Sequence, residues 1–389
     1  MIVYDKNLLD NLTLAEEAKS LQAAGFISKE QKDFIKKELP AFKRQSNILV
    51  RLGFFLLGSF LYSSICSVIA LIGLNSERVF FEICCYIFAI IGFAGAEFLA
   101  NQNYYEHGLD DAFILGAVLN LGIAIGITTE GNNGLVIAFF VAVASFMMYK
   151  RYLNLLSILI FCISVSALLF FGMLEFGDIG KAILPFVAML FAAAFYFFTK
   201  KLINNLTENY YYRGLLWANS FCLILFYFSC NYLVVRELSV VLLENKILPG
   251  TDIPFAFFFY AFTFIVPAVY LVQALRTKDR IMLWLSFLSI GFSIYTIGFY
   301  YSVLPVEVAL TVGGLVLFAI AYFSIRKIKD NEVGLTFRPD RINTSNALLN
   351  AEALIVASTF GMKPEVKPEN SPMEFGGGGF SGGGSEGSF

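Results

Sequence analysis

Histidine is almost missing from this chain: His107 is the only one among 389 residues. A zinc enzyme working inside a membrane recruits several imidazoles together with carboxylates, so this sequence cannot supply that ligand set. A serine–histidine pair at depth is excluded too, because His107 falls between apolar runs rather than within one. The six cysteines, Cys66, Cys84, Cys85, Cys162, Cys222 and Cys230, form no C-x-x-C and all lie inside apolar runs. They read as small buried hydrophobes and not as a disulfide framework. Charged residues make up only 15% of the chain and nearly cancel, to a net −2, which leaves no basic footprint for nucleic acid. A phosphate loop is lacking as well. Around Gly180-Lys181, Glu175 stands where the first glycine belongs and Ala182 where the Ser/Thr belongs. Nothing in the composition calls for a cofactor, and the expectation is a protein that is not an enzyme.

What the chain has in abundance is apolar length. It is 58% hydrophobic with a mean hydropathy of +0.70, where a soluble domain is under about half apolar. The excess sits in ten runs: 52–73, 79–100, 112–128, 134–149, 153–174, 182–199, 214–235, 253–275, 280–303 and 305–325. Runs of about 20 apolar residues cross the hydrocarbon as helices, and barrel-type alternation is absent. The expectation is an all-α polytopic membrane protein of about ten spans over 48–325. The fourth run is short enough to be re-entrant, and 236–248 suits an interfacial piece. With the N-terminus inside, the inner loops carry eight Lys and Arg and the outer loops four, so both ends read as cytoplasmic. Residues 1–47 contain no short apolar stretch with a cleavage site, which leaves the first span as an uncleaved insertion signal.

The head, 1–47, reads as a cytoplasmic helical hairpin. Thr13 and Glu16, then Ser28 and Gln31, have capping-box spacing, Gly25 stops the first helix and Pro40 ends the second. The strings 24-AGFISKEQKDFI-35 and 51-RLGFFLLGS-59 resemble an uncharacterised family of predicted bacterial polytopic membrane proteins with an N-terminal G-x-I-S-x-x-Q hairpin. That resemblance implies a bacterial cytoplasmic membrane and many spans, and carries no reaction with it. A second pattern is internal: 103-NYYEHGL-109 and 209-NYYYRGL-215 match at five of seven positions with an offset of 106 residues, the spacing of a parallel repeat.

Beyond the last run, 326–361 forms a cytoplasmic segment in which 345–361 suits a short helix, and 362–389 is a proline-containing linker and a disordered glycine-rich tail. Within 376-GGGGFSGGGSEGSF-389, Ser381 sits in a G-x-S-x-G match, but polyglycine on both sides cannot hold a nucleophile in place. The tail resembles the glycine-rich tails of TPM-domain membrane proteins, which implies association through spaced aromatics, here Phe375, Phe380 and Phe389.

Candidate polar chemistry is sparse. The central part of every run lacks Asp, Glu, Lys, Arg and His, and Glu82, Glu97 and Glu307 lie within about a turn of a helix end. The one cluster is 106-EHGLDD-111 with Glu97 nearby: Glu106, His107, Asp110 and Asp111 in an inner loop devoid of Lys and Arg. It suits a cation or proton site, or a solvated loop in which Asp110 and Asp111 cap the next helix. Asn120 and Asn219 are the deepest amides and suit interhelical hydrogen bonds, and Gly122 and Gly126 have the spacing for close helix contact. The reading is a bilayer-embedded accessory or scaffold protein with a protein partner at the cytoplasmic face. The alternative is a transporter or channel for an uncharged or amphiphilic solute. Reporter fusions after Lys43 and after Lys363 are expected to read cytoplasmic on both sides; opposite readings would require an odd number of spans.

Overall fold

The computed structural model describes residues 2–300, apart from 24, 72–77, 207, 244–251 and 278, together with isolated helical positions between 308 and 326. Among the described residues the chain is α-helical, and its one β feature is an isolated bridge between Lys43 and Tyr104. The helices are α1 (Lys6–Ala23), α2 (Lys29–Glu38), α3 (Ile48–Leu71), α4 (Arg78–Asn101), α5 (Leu109–Thr128), α6 (Gly134–Tyr152), α7 (Leu155–Leu174), α8 (Gly177–Asn204), α9 (Tyr212–Cys230), α10 (Tyr232–Leu242), α11 (Ala256–Thr277) and α12 (Arg280–Tyr300).

Nine helices among the described residues, all but α1, α2 and α10, are long and apolar enough to cross a bilayer. This is a polytopic all-α membrane protein. The run 305–325 lies outside the described residues apart from scattered positions. The fourth run belongs to the spanning set: α6 has 19 residues, about 28 Å at 1.5 Å per residue. The apolar run stops at Tyr149, but the helix carries on through Lys150-Arg151-Tyr152. The segment near 236–248 gives α10, whose 11 residues are too short to span.

Burial is arranged for lipid outside. Phe60, Leu190 and Phe257 stand exposed, while Ala124, Ser145, Cys162, Ala192 and Cys222 are sealed between helices. A soluble protein would not expose such a surface, and small residues with hydroxyls are what let helices approach in hydrocarbon. The cysteines are all free, and all but Cys85 are buried.

The described chain forms two compact units. One contains Met1–Leu9 and the body from Phe42 onward; the other is built on Asp10–Ala41. In the body, α4 packs along α5, α6 along α7, α8 along α9 and α11 along α12, while α3 lies against α5 and α7 against α9. In the small unit Ala18, Ile27 and Ile35 are buried together with Leu21 and Leu39 beside them. The Ser28 capping box forms as its spacing predicts: Gln31 N donates to Ser28 Oγ, and Ser28 N to Gln31 Oε1. The Thr13 box does not form. The first helix begins eight residues earlier, where Asp5 Oδ1 accepts from Asn7 N, and Thr13 is interior, its hydroxyl donating to Asp10 O.

Two expected amides do tie helices together. Asn120 Nδ2 donates to Tyr62 Oη at 2.8 Å, joining α5 to α3, and Asn219 Oδ1 accepts from Thr199 Oγ1 at 3.0 Å, joining α9 to α8. The spaced glycines divide: a Cβ on Gly122 would come to 3.0 Å from Val141 Cγ2 of α6, a close helix contact. A Cβ on Gly126 would lie 3.7 Å from Ile137 in ordinary contact, whereas one on Gly92 would come within 2.7 Å of the Ala117 backbone nitrogen. At Gly92, outside the G-x-x-x-G pair, α4 therefore approaches the α5 backbone closely. Gly92→Ala is expected to lower stability by about 1–3 kcal/mol through overpacking, while Gly126→Ala leaves it unchanged; unfolding in a fixed detergent measures both.

Candidate functional site

The connection between α4 and α5 is seven residues long and unusually bent. Asn103, Glu106 and Gly108 all have positive φ, at 59°, 50° and 107°. At Gly108 the left-handed backbone and the proximity of Arg51's carbonyl oxygen both forbid a side chain. The turn brings Glu106, His107, Asp110 and Asp111 to one place, and all four are buried, at 5%, 7%, 3% and 4% exposure. The loop is thus not solvated. Its lack of Lys and Arg is made good by cations from distant parts of the sequence.

Glu106 accepts from Arg213 Nη1 at 2.7 Å and pairs with Arg44 Nη2 at 2.6 Å, with Arg51 Nη1 at 4.0 Å. Asp111 takes both Nε and Nη2 of Arg51 on Oδ2, at 2.8 and 2.7 Å, and Asn154 Nδ2 on Oδ1 at 2.6 Å. Asn154 also caps α7, its Oδ1 accepting from Ser157 N. Asp110 turns back on the loop, where Oδ1 accepts from His107 N and Gly108 N at 3.0 and 2.9 Å. It therefore holds the turn that precedes α5. Asp111 holds α3, not the helix end. The cluster ties five parts of the chain together: the 42–47 segment, the start of α3, the α4–α5 loop, the α6–α7 junction and the start of α9.

The 42–47 segment lies along this loop. Lys43 N donates to Asn103 O at 2.9 Å, Tyr105 N to Lys43 O at 3.4 Å and Gln45 N to Glu106 O at 3.4 Å. Tyr4, Phe42 and Tyr105 form an aromatic triad with ring centroids 5.1–5.3 Å apart. Tyr4 Oη donates to Tyr104 O, and the Lys43 ammonium sits 4.6 Å from the Tyr104 ring. Val3 N donates to Arg151 O. The two stretches that flank Asp10–Ala41 are thus clamped against the same loop.

Glu97 has separate partners. It pairs with Arg151, through Nε and through Nη2 at 2.8 Å, and accepts from Tyr152 Oη at 2.6 Å, fastening α4 to α6. Of the five acidic-cluster residues singled out by sequence, four converge and Glu97 belongs to its own pair. Phe375, Phe380 and Phe389, Ser381 and the 345–361 helix lie outside the described residues. Arg44, Arg51, Arg213 and Asn154 were not among the candidates. Only Arg213 carried a signal, as the one cation within the repeated NYY-x-x-GL string.

Electrostatics follow the geometry. Burial alone would raise the Glu106 carboxyl, but Arg213, Arg44 and Arg51 outweigh it and hold it below the usual range. Burial pushes the His107 imidazole down; Asp110 opposes this and Lys43 adds to it. The neutral imidazole is thereby favoured, its ring centroid 4.3 Å from that of Phe54 and 4.9 Å from that of Tyr104. Among the described residues no three His, Cys, Asp or Glu side chains converge as a metal site. The carboxylates of the cluster are spent on guanidiniums and backbone donors, so the arrangement fastens rather than coordinates.

No protein-family model, curated protein or solved structure matches this chain. Removing one partner of a buried ion pair leaves the others uncompensated, at about 3–5 kcal/mol. Glu106→Gln is accordingly expected to cost that much, because three guanidiniums lose their shared counter-charge. Arg213→Gln, at a side chain 42% exposed, is expected to cost under about 1 kcal/mol. Thermal unfolding in detergent compares the two.

Proposed function

We propose that this chain is an accessory or scaffold protein of a bacterial cytoplasmic membrane, non-enzymatic, acting on a protein partner through its cytoplasmic ends. One observation carries the reading: the stretches that enter and leave Asp10–Ala41 are both pinned to the α4–α5 loop, by the Tyr4–Phe42–Tyr105 triad and by Arg44 on Glu106. A two-helix unit of this size has too little core to be firm alone. Contacts with a partner would supply the packing that it lacks. The resemblance of 24–35 and 51–59 to predicted bacterial membrane proteins supports the compartment, and the Lys/Arg bias supports the side.

A second reading, transport of an uncharged or amphiphilic solute, is favoured by the helix order. Shifting α3, α4 and α5 by 106 residues brings their starts within about seven residues of those of α7, α8 and α9. The pairings recur as well, α4 with α5 as α8 with α9, and α3 with α5 as α7 with α9. The discriminating experiment is co-purification in mild detergent from cells expressing the full chain, a form lacking residues 362–389, and a form with 10–41 replaced by a Gly-Ser linker. The scaffold reading expects one stoichiometric partner that is lost with either end. The same partner set from all three forms, with solute flux in reconstituted vesicles, would favour transport.

A further inference from the structure

We propose that His107 makes the attachment of the 42–47 segment acid-sensitive: protonation of this one imidazole loosens the clasp between that segment and the α4–α5 loop. The inference concerns the clasp itself and stands apart from which partner the protein serves.

The geometry leaves a charged imidazole poorly served. Nδ1 is buried and has no hydrogen-bond partner, and Nε2 has only the Gln45 amide nitrogen at 3.5 Å. Neutral imidazole tolerates this: its ring packs as an aromatic body between Phe54 of α3 and Tyr104 of the loop. Imidazolium carries two N–H donors and a full charge, and a buried charge without acceptors is costly. The surroundings do not compensate. Lys43 and Arg44 stand on the clasping segment, Arg51 on α3 and Arg213 on α9, against Glu106 on the loop and Asp110 and Asp111 on α5. Glu106 and Asp111 are already matched to guanidiniums, and one oxygen of Asp110 holds two backbone N–H groups. A proton on His107 adds a fifth cation facing three engaged carboxylates.

The way out is through the segment. Gln45 touches the ring, and its backbone N–H is one of the three donors that lay 42–47 along the loop. Lifting this stretch exposes His107 to water and moves Lys43 and Arg44 away from it. The sign follows from linkage: the open form binds the proton at about pH 6.5, the ordinary histidine value, and the closed form only at lower pH. The clasp is therefore at full strength above that value and weakens as pH falls below it. Asp111 also enters the window, since burial and then the Asp110 carboxylate raise its carboxyl to about 6. The His107→Gln variant separates that contribution. Glu106 stays outside the window. Its carboxyl is held below its ordinary value, so its contribution is present throughout this range and is lost only under stronger acid.

The chain is unusually suited to a test, because ring-¹³C histidine labelling of the full protein in lipid nanodiscs gives one signal. That signal is followed from pH 8 to pH 5 alongside hydrogen exchange at the Lys43, Gln45 and Tyr105 amides, corrected for intrinsic exchange. The expected result is a fall in protection of at least tenfold with the same midpoint as the imidazole titration, and persistent protection at pH 5 in His107→Gln. A charged His107 with protection unchanged, or the same loss in His107→Gln, overturns the proposal. Lys43→Gln keeps the proposal testable should His107→Gln fold poorly. Removing the neighbouring cation should move both midpoints to higher pH, and unmoved midpoints count against it.

Discussion

One buried carboxylate organises the described end of this protein. Glu106 sits at 5% exposure among three guanidiniums that come from residues 44, 51 and 213. A charge so placed is costly by itself and tolerable only because guanidiniums surround it. That ties its burial to the packing that delivers them. The loop must keep its left-handed turns, α3 must present Arg51, and α9 must begin beside α5. Asp111 repeats the logic one turn along, where Arg51 and Asn154 fill its two oxygens.

The location of this cluster follows from the solvent. In the hydrocarbon, helices are held by close approach and by occasional amides, such as Gly92 on Ala117 and Asn120 on Tyr62. Such contacts give little directionality, because every helix offers the same apolar exterior. Ion pairs supply direction, but at the bilayer centre they cost too much. At the helix ends, protein can bury them with water close by. Specificity in this fold therefore concentrates where spans enter and leave the membrane, in Glu106 with its three arginines and in Glu97 with Arg151 and Tyr152.

The same reasoning explains why a tightly built cluster need not be a catalytic one. Active sites leave groups unsatisfied so that substrate can satisfy them. Here the carboxylates face guanidiniums or backbone donors, while His107 Nδ1 is buried without a hydrogen-bond partner and Nε2 has only the Gln45 amide. That imbalance is the feature in which chemistry, in the form of a proton, can enter.

The sequence alone determined the class, because the length and polarity of its runs answer to the bilayer and to little else. It also determined local stops and starts. Ser28 and Gln31 form their capping box because every atom of it lies within four residues. It misplaced the start of α1, where Asp5 rather than Thr13 provides the side-chain cap, since both are acceptable caps and only the flanking contacts choose. Tertiary structure decided the rest. In the chain, 106-EHGLDD-111 looks like a solvated acidic loop because nothing beside it is basic. Its counter-charges stand 62, 55 and 107 residues from Glu106, at Arg44, Arg51 and Arg213. Pairing across such separations leaves no local periodicity to read, and it exists only once α3, α5 and α9 have packed.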